Sequence, residues 1–155
     1  MSYTITAASP DTPDAVALIN ELETQLDPLY PRASRHGLSV AQLIDQGVAF
    51  FVIHSAGEPV GCGGVKLFGA DYGEVKRMYV RPPFRGRGLA RAMLEHLVSY
   101  TQTRGVSLLR LETGIHPREA IGLHERAGFT RIPPFGDYYE DPLSLFFEKS
   151  ISAGG

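Results

Sequence analysis

The sequence predicts a single mixed α/β domain, with about seven strands in one central sheet flanked by about four helices. Three observations carry this. The 155 residues are 43% hydrophobic and 21% charged, and a chain of this length buries roughly 70% of its unfolded surface. Segments with helical apolar spacing alternate with short strand-like runs in the order β-α-α-β-β-β-α-β-α-β-β. No internal repeat, low-complexity linker or charge block divides the chain. Residues 1–155 are therefore expected to form one domain, ordered over 3–149 with a frayed tail over 150–155.

Each element has a local reason. Tyr3 to Ala8 alternates as a strand does. Ser9 to Asp14 supplies capping residues, and Pro13 suits a first helical turn. Ala15, Leu18, Ile19, Leu22 and Leu26 then recur on one helical face until Asp27-Pro28 stops it. A short helix is expected from Ser39 to Asp45, ended by Gly47. Val48 to Ser55 and Val60 to Phe68 read as a hairpin about Ala56-Gly57-Glu58-Pro59. Gly61, Gly63 and Gly64 inside the second of these strands point to a bulge or a close backbone neighbour. Glu74 to Arg81 is a strand ended by Pro82-Pro83, and Leu89, Ala92, Met93, Leu97 and Tyr100 mark the next helix, running to Gly105. Leu108 to Thr113, a helix from Pro117 to Ala127, and strands at Phe129 to Ile132 and Leu143 to Lys149 complete the order.

Composition excludes several classes. The longest uninterrupted apolar run, Val48 to Ile53, is far short of the roughly 20 residues a membrane span needs. No basic segment followed by an apolar one opens the chain, so no signal peptide is visible. A single cysteine, Cys62, rules out an intramolecular disulfide and any multi-cysteine metal site, and a cytoplasmic setting is expected. The five histidines form no His-x-x-x-His pair with a carboxylate motif, so no metal is expected. The formal charge of −2 argues against long nucleic acid as a partner. Oligomeric state is left open between monomer and homodimer.

Charge is nevertheless unevenly placed. Lys76, Arg77, Arg81, Arg85, Arg87 and Arg91 include no acidic residue among them, which reads as a local anion site. Here a strand runs into Phe84-Arg85-Gly86-Arg87-Gly88-Leu89-Ala90 and then directly into an amphipathic helix. The first turn of a helix carries N–H groups without intrahelical partners, and its dipole favours negative charge. Gly86 and Gly88 allow a left-handed bend and close approach of an anion, so a diphosphate fits. Neither Gly-x4-Gly-Lys-Ser/Thr nor Gly-x-Gly-x-x-Gly is present. An RGG-like nucleic-acid element and a loop needing glycine for turn geometry alone are the competing readings of the same residues.

Arg85 to Ala90 resembles the Arg/Gln-x-x-Gly-x-Gly/Ala signature of the GNAT superfamily of N-acetyltransferases. Pro117 to Phe129, with Ala120, Leu123, Gly128 and Phe129 in place, is similar to that family's second motif, and the element order agrees over about residues 3 to 149. The resemblance implies a GNAT-like fold whose sheet is partly splayed beside the strand ending at Val80. It implies acetyl-CoA as co-substrate, with the diphosphate on the amides of Arg85, Gly86, Arg87, Gly88, Leu89 and Ala90. The pantetheine arm would run beside Met78, Tyr79 and Val80, where the Val80 amide would take the oxyanion role. His116 stands where the family often has an asparagine that touches pantetheine.

By the same resemblance, an amine attacks the thioester directly, and Glu74 occupies the position of a general base acting through a water. The alternative for Glu74 is a strand-end carboxylate answering Lys76 or Arg77. His124 replaces the family's tyrosine acid. A histidine donates a proton only as a cation, so it serves either as acid or as a neutral, packing residue. The acceptor is expected to be a small amine, lined by Tyr30, Arg32, Arg77 and Tyr138. One of Lys76 and Arg77, with Arg32 or Arg35, would hold an acceptor carboxylate, and Asp137, Glu140 and Asp141 would attract its amine. Lys76 or Arg77 paired with Glu74 or Glu112 is the competing arrangement. A protein or peptide acceptor, and an acyl-CoA-binding module without transfer, are the alternative functions.

Overall fold

The sheet is opened near its middle, and the sequence explains why. In the structure, a computed structural model that describes residues 2–35, 37–115 and 118–152 (of Arg32, Arg118 and Glu119, the backbone), the elements follow the expected order. They are β1 (Thr4–Ala7), α1 (Pro13–Leu26), α2 (Val40–Asp45), β2 (Ala49–Ser55), β3 (Glu58–Phe68), β4 (Tyr72–Val80), α3 (Leu89–Thr103), β5 (Leu108–Gly114), α4 (Arg118–Arg126), β6 (Thr130–Ile132) and β7 (Ser144–Ser150), with single helical turns at Arg32–Ser34 and Pro82–Phe84. The seven strands lie in the order β1-β2-β3-β4-β5-β7-β6.

Antiparallel hairpins build each half of the sheet, and the halves meet where β4 runs parallel to β5. There the register holds only for Gly73 with Leu109 and Glu74 with Arg110. Beyond those pairs β4 and β5 part. The splay expected from the family resemblance is thus present, and it leaves main-chain groups of β4 free for a ligand.

Local chemistry sets the helix ends. Pro13 opens α1 after Thr12, and Ser39 and Gln42 form a reciprocal capping box at α2. Two apolar clusters cover the two faces of the sheet. Met93, Leu97, Leu109, Leu111 and Phe147 belong to the one under α3, while Leu18, Ile19, Leu43, Val52 and Cys62 belong to the one under α1 and α2. Gly63 lets α3 lie close, since a Cβ there would come within 2.9 Å of the Met93 side chain. Leu97 is fully buried in that layer. Leu97→Ala is expected to lower the unfolding free energy by about 2–5 kcal/mol, read from urea melts of parent and variant.

Several boundaries differ from expectation by a residue or two, β3 for one beginning at Glu58 rather than Val60. The β3–β4 turn is tighter, with β4 beginning at Tyr72. Ser150 closes β7, and Ile151 is buried with its N–H on the Ser107 carbonyl at 2.9 Å, so the chain is anchored past 149. Burial of the apolar Ile151 side chain outweighs the fraying expected from residue 150 onward.

Candidate active site

A cavity of about 200 Å³ lies where β4 and β5 part. Val75, Arg77 and Met78 of β4 and Leu111 to Gly114 of β5 form its two edges, with Leu22, Leu26 and Tyr30 on the α1 side and Ala120 and His124 on the α4 side. At its β4 edge the strand is bulged. Cys62 pairs with Tyr79 but Gly64 pairs with Lys76, so Arg77 and Met78 together oppose Gly63. Arg77 takes φ +52° at this step, a left-handed conformation unusual for an arginine. Its guanidinium is pinned to the Glu23 carboxylate and donates from Nε to the Leu38 carbonyl at 2.8 Å, while the Cys62 thiol donates to its carbonyl at 3.3 Å.

Downstream, Gly86 and Gly88 have φ +77° and +81°, and Gly88 is the N-cap of α3. This is the left-handed bend expected from the glycines. A Cβ at either would meet open space, so the approach to the first-turn amides is clear, and the bend suits a diphosphate.

The basic cluster is mostly not free charge. Lys76 pairs with Glu74 at 2.9 Å, Arg77 with Glu23, Arg81 with Glu21 at 2.6 Å, and Arg91 with Glu95 at 3.4 Å. Arg85 donates to the Val80 carbonyl and to Gln25, each at 2.9 Å. Arg87, set over the Phe84 ring, is the member without such a partner among the described residues. Anion recognition at the bend therefore falls to main-chain amides and Arg87.

Four expected site residues take different parts. Glu74 is buried and accepts from the Tyr138 hydroxyl as well as pairing with Lys76, whose ammonium also donates to that hydroxyl at 3.2 Å. The competing arrangement, Lys76 answering Glu74, is the one present, and neither Glu74 nor Tyr138 is among the cavity's lining residues. Burial, reinforced by the neighbouring Glu74 carboxylate, pushes the Tyr138 phenol well above its ordinary range. Arg77 lines the cavity, but its guanidinium is committed to Glu23 and Leu38 rather than open to an acceptor carboxylate; Arg35 is likewise held, by Asp27 at 3.0 Å and Glu23 at 3.5 Å.

His124 lines the cavity but is buried against Phe129 and Phe147, and burial lowers its imidazole to about 4. It is neutral near pH 7, in keeping with the second of its two expected parts, a neutral packing residue. Its Nδ1 has no hydrogen-bond partner among the described residues. The unfolded chain protonates this ring at its ordinary value and the folded chain resists, so the contribution of His124 to stability falls as pH drops from about 6.5 to about 4, by about 3 kcal/mol. Parent and His124→Phe compared in chemical melts at pH 7 and pH 4 should differ in their acid loss by about that amount.

Tyr30, Met78 and Leu111 stand at the cavity, and Tyr79 and Val80 are buried at the end of β4. Leu89 is buried at the start of α3, while Arg85 and Arg87 are exposed beside it. His116 and the Arg32 side chain lie outside the described residues. Among these, no helix is long and apolar enough to cross a membrane.

Glu112 was not singled out from the sequence as a site residue. It lines the cavity from β5, and burial pushes its carboxyl up to about 7, with the Glu74 carboxylate adding to the rise. The available signal was its place as the one carboxylate in the strand 108–114. A carboxyl poised near neutrality at the wall of a cleft has the property a general base needs.

The Acetyltransferase (GNAT) family matches residues 15–129. A protein from Azospirillum brasilense described as an IAA acetyltransferase is 41% identical over 97% of this chain and 99% of its own length. The N-acetyltransferase YsnE of Bacillus subtilis, itself uncharacterized, is 33% identical over 88% of this chain and 91% of its own. A crystal structure assigned to the acyl-CoA N-acyltransferases, from Klebsiella pneumoniae, superposes with a TM-score of 0.85 at 38% identity, covering 96% of this chain and 97% of that one. With the splayed sheet, the glycine bend and these relatives agreeing over nearly the whole length, the chain belongs to the acetyltransferase (GNAT) family.

Proposed function

We propose that this acetyltransferase uses acetyl-CoA to acetylate the primary amine of a small molecule, with Glu112 as general base. The observation that carries the reading is the position of Glu112, at the wall of the cavity between β4 and β5 and near neutrality. The bend at Gly86 and Gly88 follows β4, the strand on the other edge of that cavity. Acetyl-CoA supplies the acetyl group as a thioester when bound, and the residues present suit it: α3 offers its first-turn amides, and the parted β4 offers an unpaired edge. The Klebsiella relative's assignment to the acyl-CoA N-acyltransferases supports the same co-substrate.

Main-chain geometry supports Met78 as the oxyanion donor. Arg81 donates its N–H to the Val60 carbonyl on β3. Amides alternate sides along a strand, so those of Val80 and Met78 turn away from β3 and into the gap. Met78 is the residue of the two that lines the cavity. Its N–H donates to the thioester oxygen as charge develops there, and the Val80 N–H serves the pantetheine arm. This moves the oxyanion role two residues from where the resemblance put it.

Glu112 accepts the proton that an acceptor ammonium must lose before attack. His124, neutral, borders the sulfur as a ring that keeps water out. A thiolate whose thiol has an ordinary pKa near 8.5 leaves without an enzymic acid and takes up the second proton that the attacking nitrogen sheds. Glu74, Lys76 and Tyr138 form a neutralised platform behind the cavity.

A small acceptor is supported by the Azospirillum relative's description and by the Tyr139 hydroxyl, which donates to the Ala33 carbonyl at 2.9 Å. That bond joins the segment before β7 to the one after α1. Thiol release from acetyl-CoA, followed with small amines with and without a carboxylate and with short peptides, tests the reading. Turnover is expected with small amines. Release with peptides alone would overturn the acceptor class, and release with none of them would leave a CoA-binding module.

A further inference from the structure

Three side chains of α1, spaced two residues apart, meet three arginines spaced four apart on β4 and the bend. Glu23 takes Arg77, and Glu21 takes Arg81 through Nε at 2.9 Å and Nη2 at 2.6 Å. Gln25 takes Arg85, accepting from Nη2 at 2.9 Å. Its own amide donates to the Tyr79 hydroxyl at 3.1 Å, and that hydroxyl donates to Glu21 at 3.2 Å. Arg85 in turn donates from Nε to the Val80 carbonyl at 2.9 Å. Gln25 thus touches both the first residue of the bend and the end of β4. Leu22 and Leu26, next to these residues on α1, are wall residues of the cavity.

We propose that Gln25 is a positioning residue that makes α1 follow the bend, so that loading the bend with CoA stiffens the α1 wall of the acceptor cavity. The proposal rests on the reading that the bend holds the diphosphate. Arg85 is the link. Its Nε is held by Val80 and its Nη2 by Gln25, so it passes the immobilisation of the bend to α1. Rigidity gained at one site and shared through fixed contacts lowers the ordering cost at the next, which couples the two ligands without a large movement. The ion pairs of Glu21 and Glu23 hold α1 to the body of β4 whether or not the bend is occupied. The Gln25–Arg85 bond is the direct link from the bend to α1; a second route runs from the Arg85 guanidinium, 5.8 Å over the Tyr79 ring, through the Tyr79 hydroxyl to Glu21.

Hydrogen–deuterium exchange of the full chain with and without saturating CoA tests this. In the parent, CoA is expected to slow exchange about fivefold or more, both in the bend and start of α3 (residues 84–95) and in the second half of α1 (residues 20–27). In Gln25→Leu, bend protection should remain and α1 protection should be lost. Gln25→Glu, which keeps an acceptor for Arg85, should retain both. Tyr79→Phe, which removes only the hydroxyl on the other side of Gln25, should weaken the α1 effect. Undiminished α1 protection in Gln25→Leu overturns the proposal, as does a parent in which CoA protects the bend and not α1. Loss of bend protection in Gln25→Leu would make Gln25 part of the CoA site and also overturns it. A parent with no bend protection sinks the cofactor reading beneath it.

Discussion

Glu112→Gln is expected to lower kcat by about 10²- to 10³-fold while leaving CoA binding intact, because it removes a positioned base and little else. The pH profile carries the sharper test. A base must be unprotonated to act, and burial sets Glu112 to about 7. In the parent, kcat/KM should therefore fall tenfold per pH unit below about 7. Glu112→Gln should lose that limb and keep only the one set by the acceptor amine. Glu74→Gln separates the two carboxylates. It leaves Lys76 buried beside a neutral amide, so a loss of stability of about 3–5 kcal/mol is expected. The limb should survive at temperatures where the variant is folded, moved to lower pH because the Glu74 carboxylate no longer adds to the rise at Glu112. A Glu74→Gln enzyme that loses the limb, or a Glu112→Gln enzyme that keeps it, would return the base to Glu74.

Gly88→Glu is expected to weaken CoA binding by about a hundredfold or more, equivalent to about 2.7 kcal/mol. Two effects add. The N-cap of α3 sits at φ +81°, where a side chain other than glycine costs about 1–2 kcal/mol. A carboxylate at the head of α3 also repels a diphosphate that the helix terminus attracts. Gly88→Asn, which tolerates the left-handed region and adds no charge, should recover most of the affinity. Calorimetric titration with CoA measures both variants. Parent affinity in Gly88→Glu would move the diphosphate off the bend.

The order of elements was legible because each carries its own local signal: the stripe on α1, the Ser39 cap, the proline pair after β4, the glycines at 86 and 88. The bend was legible for the same reason, since its geometry depends on residues within a few positions of one another. What the sequence hid was set by distant partners. Arg77, Arg81 and Arg85 look like an anion cluster in the chain, yet they meet Glu21, Glu23 and Gln25 more than fifty positions away. Nothing in the chain foretells that the Tyr138 hydroxyl sits on Glu74, more than sixty positions away. Glu112 acquires its character only when neighbouring strands and Glu74 close around it. His124 loses its charge to Phe129 and Phe147 in the same way. The bulge left only a trace, the glycine at 63 on the facing strand, because a left-handed arginine has no sequence signature.

A crystal structure with acetyl-CoA bound decides whether the bend, Met78 and Glu112 act together. The account predicts the diphosphate on the main chain of residues 86–90, the thioester oxygen within hydrogen-bond distance of the Met78 N–H, and the Glu112 carboxyl facing the acetyl carbon from β5. Acetyl-CoA bound elsewhere, or with its thioester on the far side of β5 from Glu112, would contradict it.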